Sequence, residues 1–395
     1  MQENKKKQGI DDFGQGKIVS RRKNRKHDFK LALPLVVSQI INVLYNIVDR
    51  IYVGNMPEVG REALAGLGIA IPIIMIVSAS AALFGSGGAP IASILLGEGK
   101  KEEARQTMMN SFVLLVAAGI FLTLVTLAFD AELLRLFGAE AEAMGYAKDY
   151  LDYYALGTVF VMISIGMTAF ITAQGLSKIA MLSVSLGALL NIVLNPVFIY
   201  ALGLGVKGAA LASAVSQAAS AVFALAFLSG KKPLRFGFRK FRFRKRTVVA
   251  IMALGVSPFI MNATGSLVQI VFNNQIGKYS GENCTLYINL ISIMLSVTVI
   301  VLPLSVFVQG AAPFISYNYG SGRIDRVREA AWFLIKICLL YSLGFYMLIC
   351  FPKSLRLYSI RTRSFWKLRL LISGYSSWEW PSSASKWPAR TFSWS

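Results

Sequence analysis

Apolar runs of roughly twenty or more residues recur along this 395-residue chain, and few charges interrupt them. Each run is about long enough to cross a ~30 Å hydrocarbon core as a helix. Inside a bilayer every backbone N–H and C=O must find a partner without water, so runs of this length dictate helices. Composition agrees, with 55% hydrophobic and 15% charged residues and a mean hydropathy of +0.56. A soluble domain would carry more charge. The reading is an all-α, polytopic transmembrane helical bundle. Nine spans are predicted, at about 31–54, 64–96, 107–129, 150–173, 178–202, 208–229, 248–276, 284–310 and 330–351.

Charge orders the loops. Residues 1–30 hold Lys5, Lys6, Lys7, Arg21, Arg22, Lys23, Arg25 and Lys26 with no apolar centre, so they read as a basic leader and not as a cleaved signal. The loop 230–247, "GEGKKEEARQ" after the second span and "GSGRIDRVRE" after the eighth also carry Lys or Arg, and all fall on the leader's side. The opposite side holds the acid-rich connection 130–150. The positive-inside rule then places the N-terminus of this multi-pass membrane protein in the cytoplasm. Much of the net charge of +21 belongs to this topology and to anionic lipid headgroups. The run 230–246 is too short, between two spans, to read as a nucleic-acid site; membrane lipids are the expected partner, and the chain is read as a monomer.

Enzyme chemistry is not expected. The one histidine, His27, lies in the leader, and no span offers a Ser–Lys pair, paired Asp or HExxH. Cys284, Cys338 and Cys350 show no CxxC spacing and read as small core residues. No metal site and no cofactor are predicted.

The chain repeats itself. "GGAPIASILLGEGKKEEAR" (87–105) aligns without gaps to "GAAPFISYNYGSGRIDRVR" (310–328), pairing Pro90 with Pro313, Gly97 with Gly320 and Gly99 with Gly322 at an offset of 223. Pro34 pairs with Pro258, and Asp49 with Asn273, at an offset of 224. Both copies keep one orientation. Parallel six-helix halves are a transporter architecture with the substrate path between the halves. The divisions that follow are an N-terminal half at 31–229, a basic loop at 230–247, and the first three helices of a second half at 248–352.

Within the first span Gln39, Asn42, Asn46 and Asp49 are spaced by three, four and three, which puts them on one helix face. A charged Asp near mid-bilayer costs roughly 2.5–3.5 kcal/mol on insertion scales, so it should face a cavity or a partner, where it can take up and release a proton. The alternative is a structural pair with Arg50, but adjacent helical positions point about 100° apart. The fifth span offers Asn191 and Asn195, and the sixth Ser213 and Gln217, each pair four apart. These could equally bond neighbouring helices. The seventh span repeats the stripe with Asn262, Ser266, Gln269 and Asn273, now ending in an amide. The asymmetry favours ion coupling in the first half.

"YNIVDRIYVG", "GGAPIASILLGEGKKEEA", "AQGLSKIAMLSVSLGALLNIVLNP" and "GVKGAALASAVSQ" resemble the multidrug and toxic compound extrusion (MATE) transporters, and the first two look most like the MepA-type subgroup of bacterial drug exporters. The likeness runs from about Leu31 to Pro352. It implies a twelve-helix antiporter that expels small cationic, amphipathic drugs against a proton or sodium gradient. Carried over by position, it implies a coupling cluster of Asp49, Asn191, Asn195 and Ser213. Asn195 falls where many members have a second acid, and Ser213 where many have Thr. Asp49 is then the cluster's one carboxylate; alone it favours taking up and releasing a proton, while the polar oxygens of Asn191, Asn195 and Ser213 could join it around a sodium ion. The remaining stripe residues, Gln39, Asn42, Asn46, Gln217, Asn262, Ser266, Gln269 and Asn273, are expected to line the cavity. A lipid-linked oligosaccharide flippase of the same superfamily is the alternative; it would need a strongly cationic cavity, and mid-span Lys and Arg are nearly absent.

After Pro352 the text changes character. Residues 353–395 are Ser-rich and hold five of the chain's six tryptophans, where the resemblance implies three more helices. A juxtamembrane aromatic tail is one reading; a frameshift near Leu357 is the other and the one expected. Read from the third base of the preceding codon, a TCN serine becomes Phe, Leu, Ile or Val. The code also forces Gly at Trp378–Glu379, Ala at Trp380–Pro381 and Trp387–Pro388, and Glu at Trp366–Lys367, and the segment can then read as an apolar helix. On this reading about nine of twelve helices are present and transport by this polypeptide is impaired, leaving a non-transporting membrane remnant as the other possibility.

Overall fold

The computed structural model describes residues 25–57, 59–138, 141–230, 234–237, 241–279 and 310–350. Among them there is no strand. The helices are α1 (Arg25–Gly54), α2 (Gly60–Gly97), α3 (Lys101–Ala128), α4 (Asp130–Leu136), α5 (Ala141–Ala173), α6 (Ser177–Pro196), α7 (Gly205–Ser229), α8 (Lys245–Tyr279), α9 (310–320) and α10 (Ile324–Cys350). Six helical stretches of the described residues are long and apolar enough to cross a membrane: Glu62–Gly97, Lys101–Ala128, Ala143–Ala173, Ser177–Ala201, Gly205–Ser229 and Lys245–Phe272. The first and ninth predicted spans are helical too, as α1 and α10. The eighth, 284–310, lies outside the described residues except at its end, as do residues 1–24 of the leader and the tail 353–395.

Two expectations need correction. The first helix begins at Arg25, so the end of the leader is helical. The stretch 130–150 is not a simple connection: it holds the short helix α4, and α5 begins at Ala141. The segment "AELLRL" has apolar residues on one face, and Leu134 and Phe137 bury that face against Ala147 and Leu151 of α5.

The bundle centres on α5, which packs against α2, α3 and α7; α1 lies mainly along α6, and α8 runs along α2. Helix α2 has 38 residues, roughly 57 Å at 1.5 Å per residue, far more than one bilayer crossing needs. Its Ala-, Gly- and Ser-rich sequence lets neighbouring backbones approach closely, which is how helices associate where lipid is as apolar as their side chains. The core is filled by Met108, Met109, Leu115, Met162, Met167 and Phe170, all essentially inaccessible. The outer surface carries exposed Phe121, Leu124, Leu189, Val193 and Val222, an apolar exterior suited to hydrocarbon.

The repeat is visible in the backbone. At the end of α2 the N–H of Gly99 bonds the carbonyl of Leu96 at 3.1 Å and that of Lys100 bonds Leu95 at 2.8 Å. At the end of α9 the N–H of Gly322 bonds Tyr319 at 3.0 Å and that of Arg323 bonds Asn318 at 2.9 Å. Gly99 and Gly322 hold the left-handed conformation (φ 82° and 73°) that such a helix stop favours in glycine. The two turns lie on the same face of the bundle, because α2 and α9 pack together just before them. A second device also recurs. Pro34 and Pro258 sit inside α1 and α8, and the side chain four residues on bonds each proline's carbonyl: Ser38 Oγ to Pro34 and Asn262 Nδ2 to Pro258, both at 2.8 Å.

Candidate functional site

Asp49 is the last member of the α1 stripe and is only 7% exposed, although α1 is flanked on its outer side by exposed Leu44, Ile47 and Ile51. Helical geometry explains the contrast: the polar and apolar residues occupy opposite faces. Arg50 is exposed and makes no ion pair with Asp49 among the described contacts, so the carboxylate's hydrogen bond comes from elsewhere.

The partner comes from α6. Asn195 Nδ2 donates to Asp49 Oδ1 at 2.9 Å and to Asn191 Oδ1 at 3.0 Å. Asn191 Nδ2 in turn donates to Ser213 Oγ on α7 at 3.1 Å. Asp49, Asn195, Asn191 and Ser213 thus form one chain of hydrogen bonds across three helices, and all four are buried. The i, i+4 spacing of Asn191 and Asn195 is what lets one amide hand on to the next. Pro196 follows at once, and the wide turn Val197–Ala201, closed by the Leu202 N–H on the Val197 carbonyl, ends the helix beside the cluster. Wide turns of this kind are frequent at functional sites.

The cluster is not fully satisfied. Asn195 Oδ1 is buried and accepts no hydrogen bond. An orphaned acceptor in a buried network costs free energy, of the order of 1–3 kcal/mol, and calls for an explanation. A proton on Asp49, or a hard cation seated between oxygens, would supply one.

Asp49, Asn191 and Ser213 line a cavity of about 490 Å³ between α1, α2, α5, α6 and α7, closed at one place by Ala312 and Pro313 of α9. Of the other predicted residues, Asn42 and Gln217 line it as well. The side chains of Gln39, Asn46 and Asn273 lie outside the described residues. The α8 stripe behaves differently. Asn262 is exposed and bonds its own helix at Pro258, and the buried Ser266 donates to the Pro72 carbonyl of α2 at 2.9 Å. Neither these nor Gln269 is among the described lining residues; Ser266 joins helices instead of facing a path.

The sequence reading missed the tyrosines. Tyr150 and Tyr154, buried on α5, stack at 5.9 Å between ring centroids and form part of the cavity wall with Tyr45. Tyr150 shares a hydrogen bond with Ser213, which joins it to the Asp49 chain. Their i, i+4 spacing in "DYLDYYALG" was a usable signal, hidden by the acidic residues around it. Cys338 is half-buried in α10; Cys284 lies outside the described residues.

Residues 34–197 match the MatE family profile, a stretch that holds Asp49, Asn191 and Asn195. The chain is 25% identical over 314 residues to the multidrug export protein MepA of Staphylococcus haemolyticus, covering 79% of this chain and 68% of that protein. It superposes on the MATE multidrug transporter DinF-BH with TM-score 0.79 and 28% identity, over 89% of this chain and 79% of that one. A MATE structure in complex with MaD3S gives TM-score 0.76 and 25% identity over 90% of this chain and 79% of that one. Over residues 34–197, which hold Asp49, Asn191 and Asn195, the chain thus matches the MatE family model, and over most of its length it is similar to multidrug export proteins and MATE transporters.

Proposed function

We propose that this chain is a cation-coupled antiporter that exports cationic, amphipathic drugs across the cytoplasmic membrane, working as a monomer with its N-terminus in the cytoplasm. The observation that carries the reading is Asp49: a buried carboxylate on the wall of a cavity whose described lining contains no Lys or Arg. Such a cavity attracts a cation and offers the pyrophosphate of a flippase substrate nothing to bind.

The chemistry follows from charge balance. With Asp49 ionised, the site holds one negative charge and favours an organic cation, whose apolar body the Tyr150–Tyr154 wall can cover. When a proton or a sodium ion neutralises Asp49, that attraction is lost and the drug leaves. Asn195 keeps the carboxylate oriented, and its Oδ1 can accept from a protonated Asp49 or join it around sodium. Alternation between the two sides would come from movement of the halves 31–229 and 248–352 about the α2–α8–α9 seam. The names of the relatives, multidrug export protein and multidrug transporter, support drugs as the cargo.

The test is efflux of ethidium from proteoliposomes containing the full chain, driven by an imposed pH gradient or an imposed sodium gradient. One gradient should drive efflux in the wild type and neither should in D49N. Gradient-driven efflux that D49N leaves intact would remove Asp49 from the mechanism.

A further inference from the structure

The segment joining α7 to α8 reads "GKKPLRFGFRKFRFRKR" over 230–246. A loop this basic would ordinarily wave its charges in solvent. Here its backbone is tied down. Arg105 Nε and Nη2 donate to the carbonyls of Arg235 and Gly237 at 3.1 and 2.9 Å. The N–H of Arg242 bonds Gln106 Oε1 at 3.0 Å, and that of Arg244 bonds Asn110 Oδ1 at 3.3 Å. Asn110 Nδ2 reaches the Arg242 carbonyl at 3.2 Å, and the Leu234 N–H reaches Gln174 Oε1 at 3.3 Å.

Apolar pins complete the attachment. Leu234 is fully buried, Phe236 meets Phe112 edge-on at 4.8 Å, and Phe241 packs on the core. Gln106 and Asn110 are 6% and 0% exposed, so α3 commits two buried polar side chains to holding this strap. A buried polar group is costly unless it is hydrogen-bonded, and the partners of these two are the strap's own backbone groups, which fixes its shape.

The strap's other side is what such a shape presents. Arg235, Arg242, Phe243, Arg244, Lys245 and Arg246 are exposed, and among the described residues none of the five cations has a carboxylate partner. Both ends of the strap run into membrane-crossing helices, α7 ending at Ser229 and α8 starting at Lys245, so its exposed edge lies at the level of lipid headgroups. Phe243, 55% exposed between Arg242 and Arg244, gives that edge an apolar tooth among cations.

We propose that the strap is a preformed binding edge for anionic phospholipid headgroups. The guanidinium groups of Arg242 and Arg244 take the phosphate oxygens, which their planar forks fit, and Phe243 enters the interface beside them. A solvated nucleic acid is the poorer partner, because the edge is tethered at both ends in the membrane plane. The site does not depend on which drug or ion is carried, or on which side of the membrane the strap faces.

The experiment reconstitutes the full chain into nanodiscs of POPC and POPG at a ratio of 4:1, re-extracts it, and counts retained POPG against POPC by native mass spectrometry. The wild type should retain POPG in excess, and in R242Q/R244Q that preference should fall about fivefold per arginine, the size expected for one basic residue at an anionic surface. Q106A/N110A, which keeps every charge but frees the strap, should also fall below wild type. The K100Q/K101Q control, with the same loss of charge at the α2–α3 turn, should not. The proposal is overturned if R242Q/R244Q retains the wild-type preference, if the control loses as much, or if Q106A/N110A matches wild type. An oligonucleotide that displaces POPG from the wild type and binds through the same arginines would overturn it too. None of these readouts involves transport, so failure here leaves the antiport reading standing, and the reverse.

Discussion

Gly97 at the end of α2 and Gly320 at the end of α9 make the same contact in opposite directions. A Cβ on Gly97 would collide with the carbonyl of Tyr317, and a Cβ on Gly320 would collide with the carbonyl of Ile94. The two glycines are repeat partners, and so are Ile94 and Tyr317, at the same offset of 223 residues. The repeat read from the sequence is therefore a spatial near-twofold, and these glycines sit on its axis. Only glycine permits so close an approach, and each carbonyl is backbone that cannot swing aside.

Substitution at either glycine should wedge the two helix ends apart. G97A and G320A are each expected to destabilise by about 1–3 kcal/mol, the usual cost of overpacking. Because both act on one contact, the double variant should cost clearly less than the two added together. Thermal unfolding of the three variants in detergent checks this; full additivity would mean that the two sites are independent.

Asn195 gives one NH2 group to both Asp49 and Asn191. N195A removes both bonds and leaves a buried carboxylate oxygen without its donor. A hydrogen bond to a charged group is worth about 1.5–3 kcal/mol, so ion-coupled efflux should fall roughly tenfold to a hundredfold. N191A, one step further along, should cost less. An N191A defect larger than that of N195A would reverse the order of the chain.

The stacked pair Tyr150–Tyr154 faces the cavity as a flat aromatic wall. Y154A should weaken binding of a lipophilic cation by a few-fold to about thirtyfold, the range of a cation–π contact of roughly 0.5–2 kcal/mol, while Y154F leaves it unchanged. Dye-binding titrations with ethidium on purified protein measure both.

Near the N-terminal end of α5, Lys148 Nζ pairs with Asp130 Oδ2 of α4 at 3.0 Å. Partial burial alone would push the Asp130 carboxyl up, but the bonds from Lys148 and from the Ala131 N–H outweigh it and hold Asp130 below its ordinary value. Its contribution to stability is thus present above the ordinary aspartate range near pH 4 and is lost as the pH falls through the lower folded value. Wild-type protein should lose thermal stability over that acid window, and D130N should show a flatter profile there.

The sequence carried the part of the site that depends on spacing along one helix. Asp49 and Asn42 on α1, and Asn191 and Asn195 on α6, were placed by i, i+3 and i, i+4 periodicity, and the structure brings Asp49, Asn191, Asn195 and Ser213 into one hydrogen-bonded chain. What periodicity cannot supply is the object a polar face meets. The α8 stripe has the same spacing as the α1 stripe, yet Ser266 meets a backbone carbonyl of α2, a partner 194 residues away. The strap shows the same limit. Its charge was plain in the sequence, but the pins on Gln106 and Asn110 exist only after α3 and the loop are side by side. Helix α4 was missed because seven residues are too few for a period to stand out from a loop.

The most direct test of the account is whether ethidium and the coupling ion compete through Asp49. Calorimetric titration of purified wild-type protein with ethidium, repeated across pH and sodium concentration and in buffers of different ionisation enthalpy, counts the protons or sodium ions displaced per drug bound. The account predicts displacement of one proton or one sodium ion in the wild type and none in D49N. Equal displacement by the wild type and D49N would contradict it.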